Sequence, residues 1–184
     1  MVALATSANV SIHSYAPNSL QGDSILVDIY AQLGVTAVFD GHRLQLTKSD
    51  KLKSHITLDL IKAPDIAQTI AVTCYGLGVS CDLTGLHTLK IKETDRLVAL
   101  QNELTKLGAS IRITEDSFHL EARKDAIVSD VAIDTYHDHR MAMSFAPLGL
   151  CVPIVINDAE VVTKSYPSFW DDLASLGFFI DPDK

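Results

Sequence analysis

Between Lys90 and Arg96 the chain reads KIKETDR, five charges of both signs in seven residues. Directly behind it Leu97, Leu100, Leu104 and Leu107 recur at helical spacing, and Gly108 supplies a stop. Glu93 and Asp95 suit the positive end of a helix dipole, whereas Lys90, Lys92 and Arg96 oppose it unless an anion binds there too. A site that binds anions and moves protons accounts for the mixture; a solvated first turn is the plain alternative. Three other clusters also precede helical runs. Asp65 stands before DIAQTIAVTCY (Asp65 to Tyr75), His139 and Arg140 open HRMAMSFAPL, and Lys164 lies ahead of FWDDLASLG. Each has a structural alternative: Asp65, after Pro64, is a good N-cap, His139 suits a surface or cap position, and Lys164 suits solvent. HDH (His137 to His139) is not a metal signature by itself. Arg96 and Arg140 are harder to dismiss, because a planar guanidinium at a helix start is built for bidentate binding of carboxylate or phosphate. If these helix starts share one face, their free N–H groups and cationic side chains would hold a ligand with two or more phosphate or carboxylate groups.

The elements that must position these residues repeat along the chain. Leu26 to Leu46, Leu97 to Leu120 and Phe169 to Ile180 each read as an apolar helix, a Leu-Gly step and then strand, with Leu33-Gly34, Leu107-Gly108 and Leu176-Gly177 as equivalent helix ends. Alternation after Gly108 (Ile111 and Ile113, then Phe118 and Leu120) predicts a hairpin. A second helix recurs between these segments, at Asp65 to Tyr75 and His139 to Leu148, followed by strands near Cys81 to Leu86 and Val152 to Ile156. The unit is therefore strand, helix, strand, helix, strand, strand. The first copy begins only at its second strand (Asn9 to Ser14), and the third lacks a final hairpin. Repetition at this period predicts units that bury their faces on one another. The fold class is α/β, with helices packed inside or between mixed sheets, in a single domain over 1–184.

With 184 residues, 47% hydrophobic and 21% charged, the composition is that of a soluble globular protein. A formal charge of −8 argues against nucleic acid or an anionic membrane surface as partner, so any anion site must be local. Cys74, Cys81 and Cys151 lack metal-ligand spacing and read as scattered buried thiols of a reducing, cytoplasmic compartment. The N-terminus has no basic region of a signal peptide, and the most apolar stretch (Met141 to Ile156) is interrupted by Pro147, Gly149 and Pro153, which predicts no membrane span. GLGVSC (Gly76 to Cys81) lacks the third glycine of a dinucleotide loop and follows a helix rather than a strand.

LKIKETDRLVALQNELTKLGA (Leu89 to Ala109), DHRMAMSFAPLGL (Asp138 to Leu150) and TKSYPSFWDDLASLG (Thr163 to Gly177) closely resemble the C-terminal half of the EPSP synthase family, the 3-phosphoshikimate 1-carboxyvinyltransferases. NSLQGD (Asn18 to Asp23) and APDIAQT (Ala63 to Thr69) match in the same order, so the resemblance runs from about Asn18 to Gly177. It implies one of two similar domains, each an inside-out α/β barrel of three repeated units around a core of helices, with the active site in the cleft between them. The implied reaction moves the enolpyruvyl group of phosphoenolpyruvate to the 5-hydroxyl of shikimate 3-phosphate with release of phosphate, using no metal and no organic cofactor.

By residue-by-residue match, the resemblance gives Asp65 the hydroxyl proton and Glu93 the methylene proton. Lys92 lies between both substrates, Arg96, Arg140 and Lys164 hold phosphoenolpyruvate, and His139 adds a hydrogen bond near the reacting centre. Asp65, Thr88 and Lys92 face shikimate 3-phosphate. Thr88 departs from the family, since many relatives carry an amide or carboxylate there. Everything contributed by the family's N-terminal half is missing from the match, so the expectation is a fragment of a longer enzyme that does not turn over alone. Two other functions compete: a domain of the sister enzyme acting on UDP-N-acetylglucosamine, and a non-catalytic anion-binding domain of the same fold. KETDR followed by DHRMAM weighs against the first, and the presence of Asp65, Glu93 and Arg96 together against the second.

Overall fold

A computed structural model describes residues 1–13, 22–92 and 94–181. The chain forms β1 (Asn9–His13), α1 (Leu26–Ala31), β2 (Leu33–Asp40), β3 (Arg43–Leu52), β4 (His55–Asp59), α2 (Ala67–Leu77), β5 (Ser80–Thr84) and α3 (Arg96–Lys106). It continues through β6 (Ile111–Ile113), β7 (Phe118–Leu120), β8 (Val131–Ile133), α4 (His139–Phe145), β9 (Ile154–Ile156) and α5 (Phe169–Ser175). Short 3-10 helices join these elements, notably Pro64–Ile66 before α2, His87–Ile91 before α3 and Ala159–Lys164 before α5.

The strands lie in three sheets, ordered β1-β3-β2, β4-β5-β7-β6 and β8-β9. In the second, β4 and β5 are parallel with α2 as the crossover, and β7 adds antiparallel to β5, with β6 outside it. The middle unit thus follows the order read from the sequence. The third sheet repeats its first half, with β8 and β9 parallel across α4.

α2 explains why sheets and helices stack as they do. AQTIAVTCYGL carries no charge, and Ala67, Gln68, Ile70, Ala71, Val72, Thr73, Cys74 and Tyr75 are all buried. An uncharged helix this apolar has to be covered on most sides, and of its residues only Thr69 is exposed. It packs against α3, α4 and β5, and Tyr75 donates its hydroxyl hydrogen to the Leu107 carbonyl at 2.5 Å, tying α2 to the end of α3. α3 is amphipathic instead: Leu97, Leu100, Leu104 and Leu107 are at most 1% exposed, each contributing about 1.5–3 kcal/mol by leaving water. Gly108, at φ 102°, closes this helix in a conformation that a Cβ would strain.

Boundaries move where tertiary contacts override the local pattern. Gly34 is left-handed at φ 78°, yet α1 ends at Ala31 and Leu33 already pairs with Leu52 across a register shift, so Leu33-Gly34 is a strand bulge and not a helix end. The helix from His139 is α only to Phe145 and then tightens to a 3-10 turn over Ala146–Leu150, where Pro147 cannot supply an amide hydrogen. Cys74 and Cys81 are buried free thiols as expected, but Cys151 is exposed. It lies in the turn that ends this second helix, where the chain reaches the surface. No helix among the described residues is long and apolar enough to cross a membrane.

Candidate active site

Three helix starts meet at one carboxylate. Asp65 lies within the 3-10 turn that leads into α2, and it caps nothing: the N-cap position is Ala63 and no side-chain cap is made. Its carboxylate instead faces cations from two other elements. Arg96 Nη1 donates to Asp65 Oδ1 at 2.9 Å, Lys92 Nζ lies 3.4 Å from the same oxygen, and Arg140 Nη2 lies 3.5 Å from Oδ2. Arg140 also donates from Nη1 to the Asp65 carbonyl at 3.1 Å, so it holds backbone and side chain of one residue.

Arg96 is the centre of this arrangement. Its side chain is 2% exposed, and a guanidinium so buried is tolerated only when its N–H groups are matched by acceptors. Besides Asp65 it donates from Nε to Asp138 Oδ2 at 2.6 Å and from Nη2 towards Oδ1 at 3.5 Å. Asp138 is itself fully buried. It is the N-cap of α4, accepting the Arg140 amide hydrogen at 2.8 Å, so one carboxylate both starts α4 and fixes the arginine that starts α3. His139 Nδ1 lies 3.8 Å from the same Asp138 carboxylate.

KIKETDR divides by environment. Asp95 is the N-cap of α3, its Oδ1 accepting from the amides of Leu97 and Val98 at 3.1 and 3.2 Å. Lys90 turns outward to Glu115 at 2.7 Å. Lys92 and Arg96 turn inward. Glu93 lies outside the described residues, as do Asn18 to Gln21 of the NSLQGD segment.

Of the residues singled out in the sequence, the fold brings Asp65, Lys92, Arg96 and Arg140 into direct contact, with His139 beside them. Lys164, the last residue of its 3-10 helix, is exposed and makes no hydrogen bond or ion pair among the described residues. Thr88 sits in the 3-10 turn before Lys92, and its Oγ1 is buried without a hydrogen-bond partner among the described residues. Three residues escaped the sequence reading. Asp138 was legible only as a neighbour of His139; an Asp directly ahead of a helical run is an N-cap signal, and the buried guanidinium behind it is long-range. Gln68, one helical turn beyond Asp65, is 1% exposed with neither side-chain amide atom hydrogen-bonded among the described residues. Glu103, three residues before Lys106 in a helix, is fully buried and accepts from Tyr136 Oη at 2.7 Å, the Asp134 amide at 3.0 Å and Lys106 Nζ at 2.6 Å. Burial raises the Tyr136 phenol above its ordinary value, with the bond to Glu103 adding to it and the bond from Asn102 opposing it, so at neutral pH the hydroxyl remains a donor. Asp134 is held below the usual carboxylate range by hydrogen bonds from Lys106 and then Asn157.

Chemically the cluster is a cationic cup closed by its own carboxylates: Lys92, Arg96 and Arg140 against Asp65 and Asp138 leave one net positive charge. An incoming phosphate or carboxylate would compete with Asp65 for the same N–H groups. Among the described residues no group of three or more His, Cys, Asp or Glu could hold a metal ion.

Residues 1–173 match the family model of EPSP synthase (3-phosphoshikimate 1-carboxyvinyltransferase). The chain belongs to the EPSP synthase family. Its relatives include the 3-phosphoshikimate 1-carboxyvinyltransferase of Bacteroides fragilis, 39% identical over 182 residues, which are 98% of this chain and 44% of that protein. The enzyme of the same name from Neisseria meningitidis is 34% identical over 169 residues, 91% of this chain and 39% of its own length. The solved EPSP synthase of Acinetobacter baumannii superposes with a TM-score of 0.77 at 24% identity, covering 98% of this chain and 44% of that one, and so supports the fold. The chain therefore spans less than half the length of these members of the EPSP synthase family.

Proposed function

We propose that the chain is the C-terminal half of an EPSP synthase, three repeated units around buried helices in an inside-out α/β barrel. In this reading it supplies one wall of a cleft in which the enolpyruvyl group of phosphoenolpyruvate passes to shikimate 3-phosphate. The observation that carries the proposal is the convergence of Lys92, Arg96 and Arg140 on Asp65. Such a cup suits a reaction that needs fixed positive charge beside a proton-transferring carboxylate.

Asp65 takes the proton of the attacking hydroxyl. Lys92, 3.4 Å from Asp65 Oδ1, lies between the two substrates and assists their binding or the proton transfer. Glu93, three residues before Arg96, handles the methylene proton of phosphoenolpyruvate. Arg96 and Arg140 hold the phosphate and carboxylate of phosphoenolpyruvate, with Lys164 joining them when the cleft closes, and His139 donates near the reacting centre. Thr88, whose hydroxyl has no partner among the described residues, faces the shikimate ring. One net positive charge cannot balance a carboxylate and two phosphates, so the remaining cations have to come from another domain. No metal or organic cofactor is part of the reaction.

The test is turnover with each acceptor. The full-length protein should release phosphate from phosphoenolpyruvate with shikimate 3-phosphate and not with UDP-N-acetylglucosamine, whereas this chain alone should do neither. Product formed only from the UDP sugar would assign the sister activity, and substantial turnover by this chain alone would contradict the two-wall reading.

A further inference from the structure

Helix α3 holds one segment at two points. Arg96, at its first position, grips Asp138, and Glu103, seven residues or about two turns later on the same face, grips Asp134 and Tyr136. Both Glu103 oxygens are engaged: Oε1 by the Tyr136 hydroxyl, and Oε2 by the Asp134 amide and Lys106 Nζ. Lys106 reaches the same segment, donating to the Ala132 carbonyl at 3.2 Å and Asp134 Oδ2 at 2.8 Å, and Asn157 at the end of β9 donates to Asp134 Oδ1 at 2.7 Å. A carboxylate with no exposed surface is costly to bury, and here most of what compensates it comes from the segment between β8 and α4.

Between the two grips lie Tyr136 and His137, at φ 56° and 58°, two consecutive non-glycine residues in the left-handed region. Tyr is seldom found there, and such a pair persists only when its surroundings over-determine it. The pair turns the chain so that Asp138 arrives at the start of α4 with its carboxylate against Arg96. His137 is exposed and makes no side-chain hydrogen bond or ion pair among the described residues, so no contact of its own side chain there enforces the turn.

We propose that Glu103 is a positioning residue for the reaction: through Tyr136 and the Asp134 amide it holds the strained Tyr136-His137 turn that presents Asp138, and Asp138 in turn aims the Arg96 guanidinium at the anion site. The proposal rests on the assignment of Arg96 to phosphoenolpyruvate. A small rotation of Asp138 would leave Arg96 buried and paired but pointing elsewhere, and misplacement of a binding group by about 1 Å is enough to cost up to a hundredfold in rate.

Four variants of the full-length enzyme test it. His137→Gly relaxes the left-handed turn while removing no contact, so the melting temperature should stay the same or rise while kcat/KM for phosphoenolpyruvate falls roughly tenfold. Tyr136→Phe removes one hydroxyl and should raise KM for phosphoenolpyruvate more than KM for shikimate 3-phosphate. Glu103→Gln, which keeps one acceptor oxygen, should retain more activity than Glu103→Ala at matched folded fraction. The proposal is overturned if His137→Gly leaves kcat/KM unchanged, or if all losses track melting temperature with both KM values moving alike. A wild-type enzyme that does not use phosphoenolpyruvate would instead refute the functional assignment, and the positioning role with it.

Discussion

Asp138→Ala is the sharpest test of the way this site is built. The substitution removes both oxygens facing Arg96 Nε and Nη2, at 2.6 and 3.5 Å, and the acceptor for the Arg140 amide at 2.8 Å. Arg96 is 2% exposed and cannot reach water without opening α3 from α4. Breaking a buried ion pair from one side costs about 3–5 kcal/mol, and loss of an N-cap about 1 kcal/mol. Asp65 still holds Nη1 at 2.9 Å, which places the expected total near the lower end, about 3 kcal/mol. For a chain of this size that is a fall in melting temperature of roughly 6–12 °C. Urea unfolding should be followed both by far-ultraviolet circular dichroism and by the fluorescence of Trp170, the single tryptophan, since coincident curves are needed for a two-state reading. A cycle with Arg96→Met separates the pair from the cap: the double variant should be no less stable than Asp138→Ala alone, because no uncompensated charge remains. A loss below about 1 kcal/mol for Asp138→Ala, or strict additivity in the cycle, would refute the claim that these two side chains depend on each other.

Other consequences can be checked separately. Asp65→Asn in the full-length enzyme should abolish turnover yet bind inorganic phosphate or phosphoenolpyruvate at least as tightly as wild type by calorimetry, because the competing carboxylate is gone; weaker anion binding would contradict the cup geometry. Gly85→Ala would place a Cβ 2.6 Å from the Ile61 amide nitrogen at φ 76°, where backbone has to move, and should cost several-fold more stability than Gly41→Ala, which meets nothing at φ 59°; equal losses in urea unfolding would contradict it. Burial raises the Tyr30 phenol to about 12. Ionisation is therefore disfavoured in the fold, so this contribution is complete below pH 10 and is lost as pH rises from 10 towards 12, about 2–3 kcal/mol in all. Tyr30→Phe should flatten that part of the stability profile relative to wild type, and parallel profiles would rule it out.

The sequence by itself determined the repeat, the main helices and most of the site's cations. Apolar spacing is a local property: Leu97 to Leu107 specify one face of a helix whatever lies opposite, and Asp65, Lys92, Arg96 and Arg140 are visible because charges at helix starts are out of place unless something answers them. KETDR and DHRMAM were also specific enough to indicate the family. What the sequence could not settle was which charge answers which. Asp138 and Glu103 look like a cap and a surface ion pair until α3 is laid against the segment from Asp134 to Asp138, 31 to 42 residues away. Leu33-Gly34 likewise carries the same signal as Leu107-Gly108, and only pairing with Leu52 turns it into a bulge. Burial made these decisions. A charge left in water needs no partner and its neighbours tell little, whereas Arg96, Asp138 and Glu103 lose their hydration on folding and must be matched by groups that only the tertiary structure brings within reach.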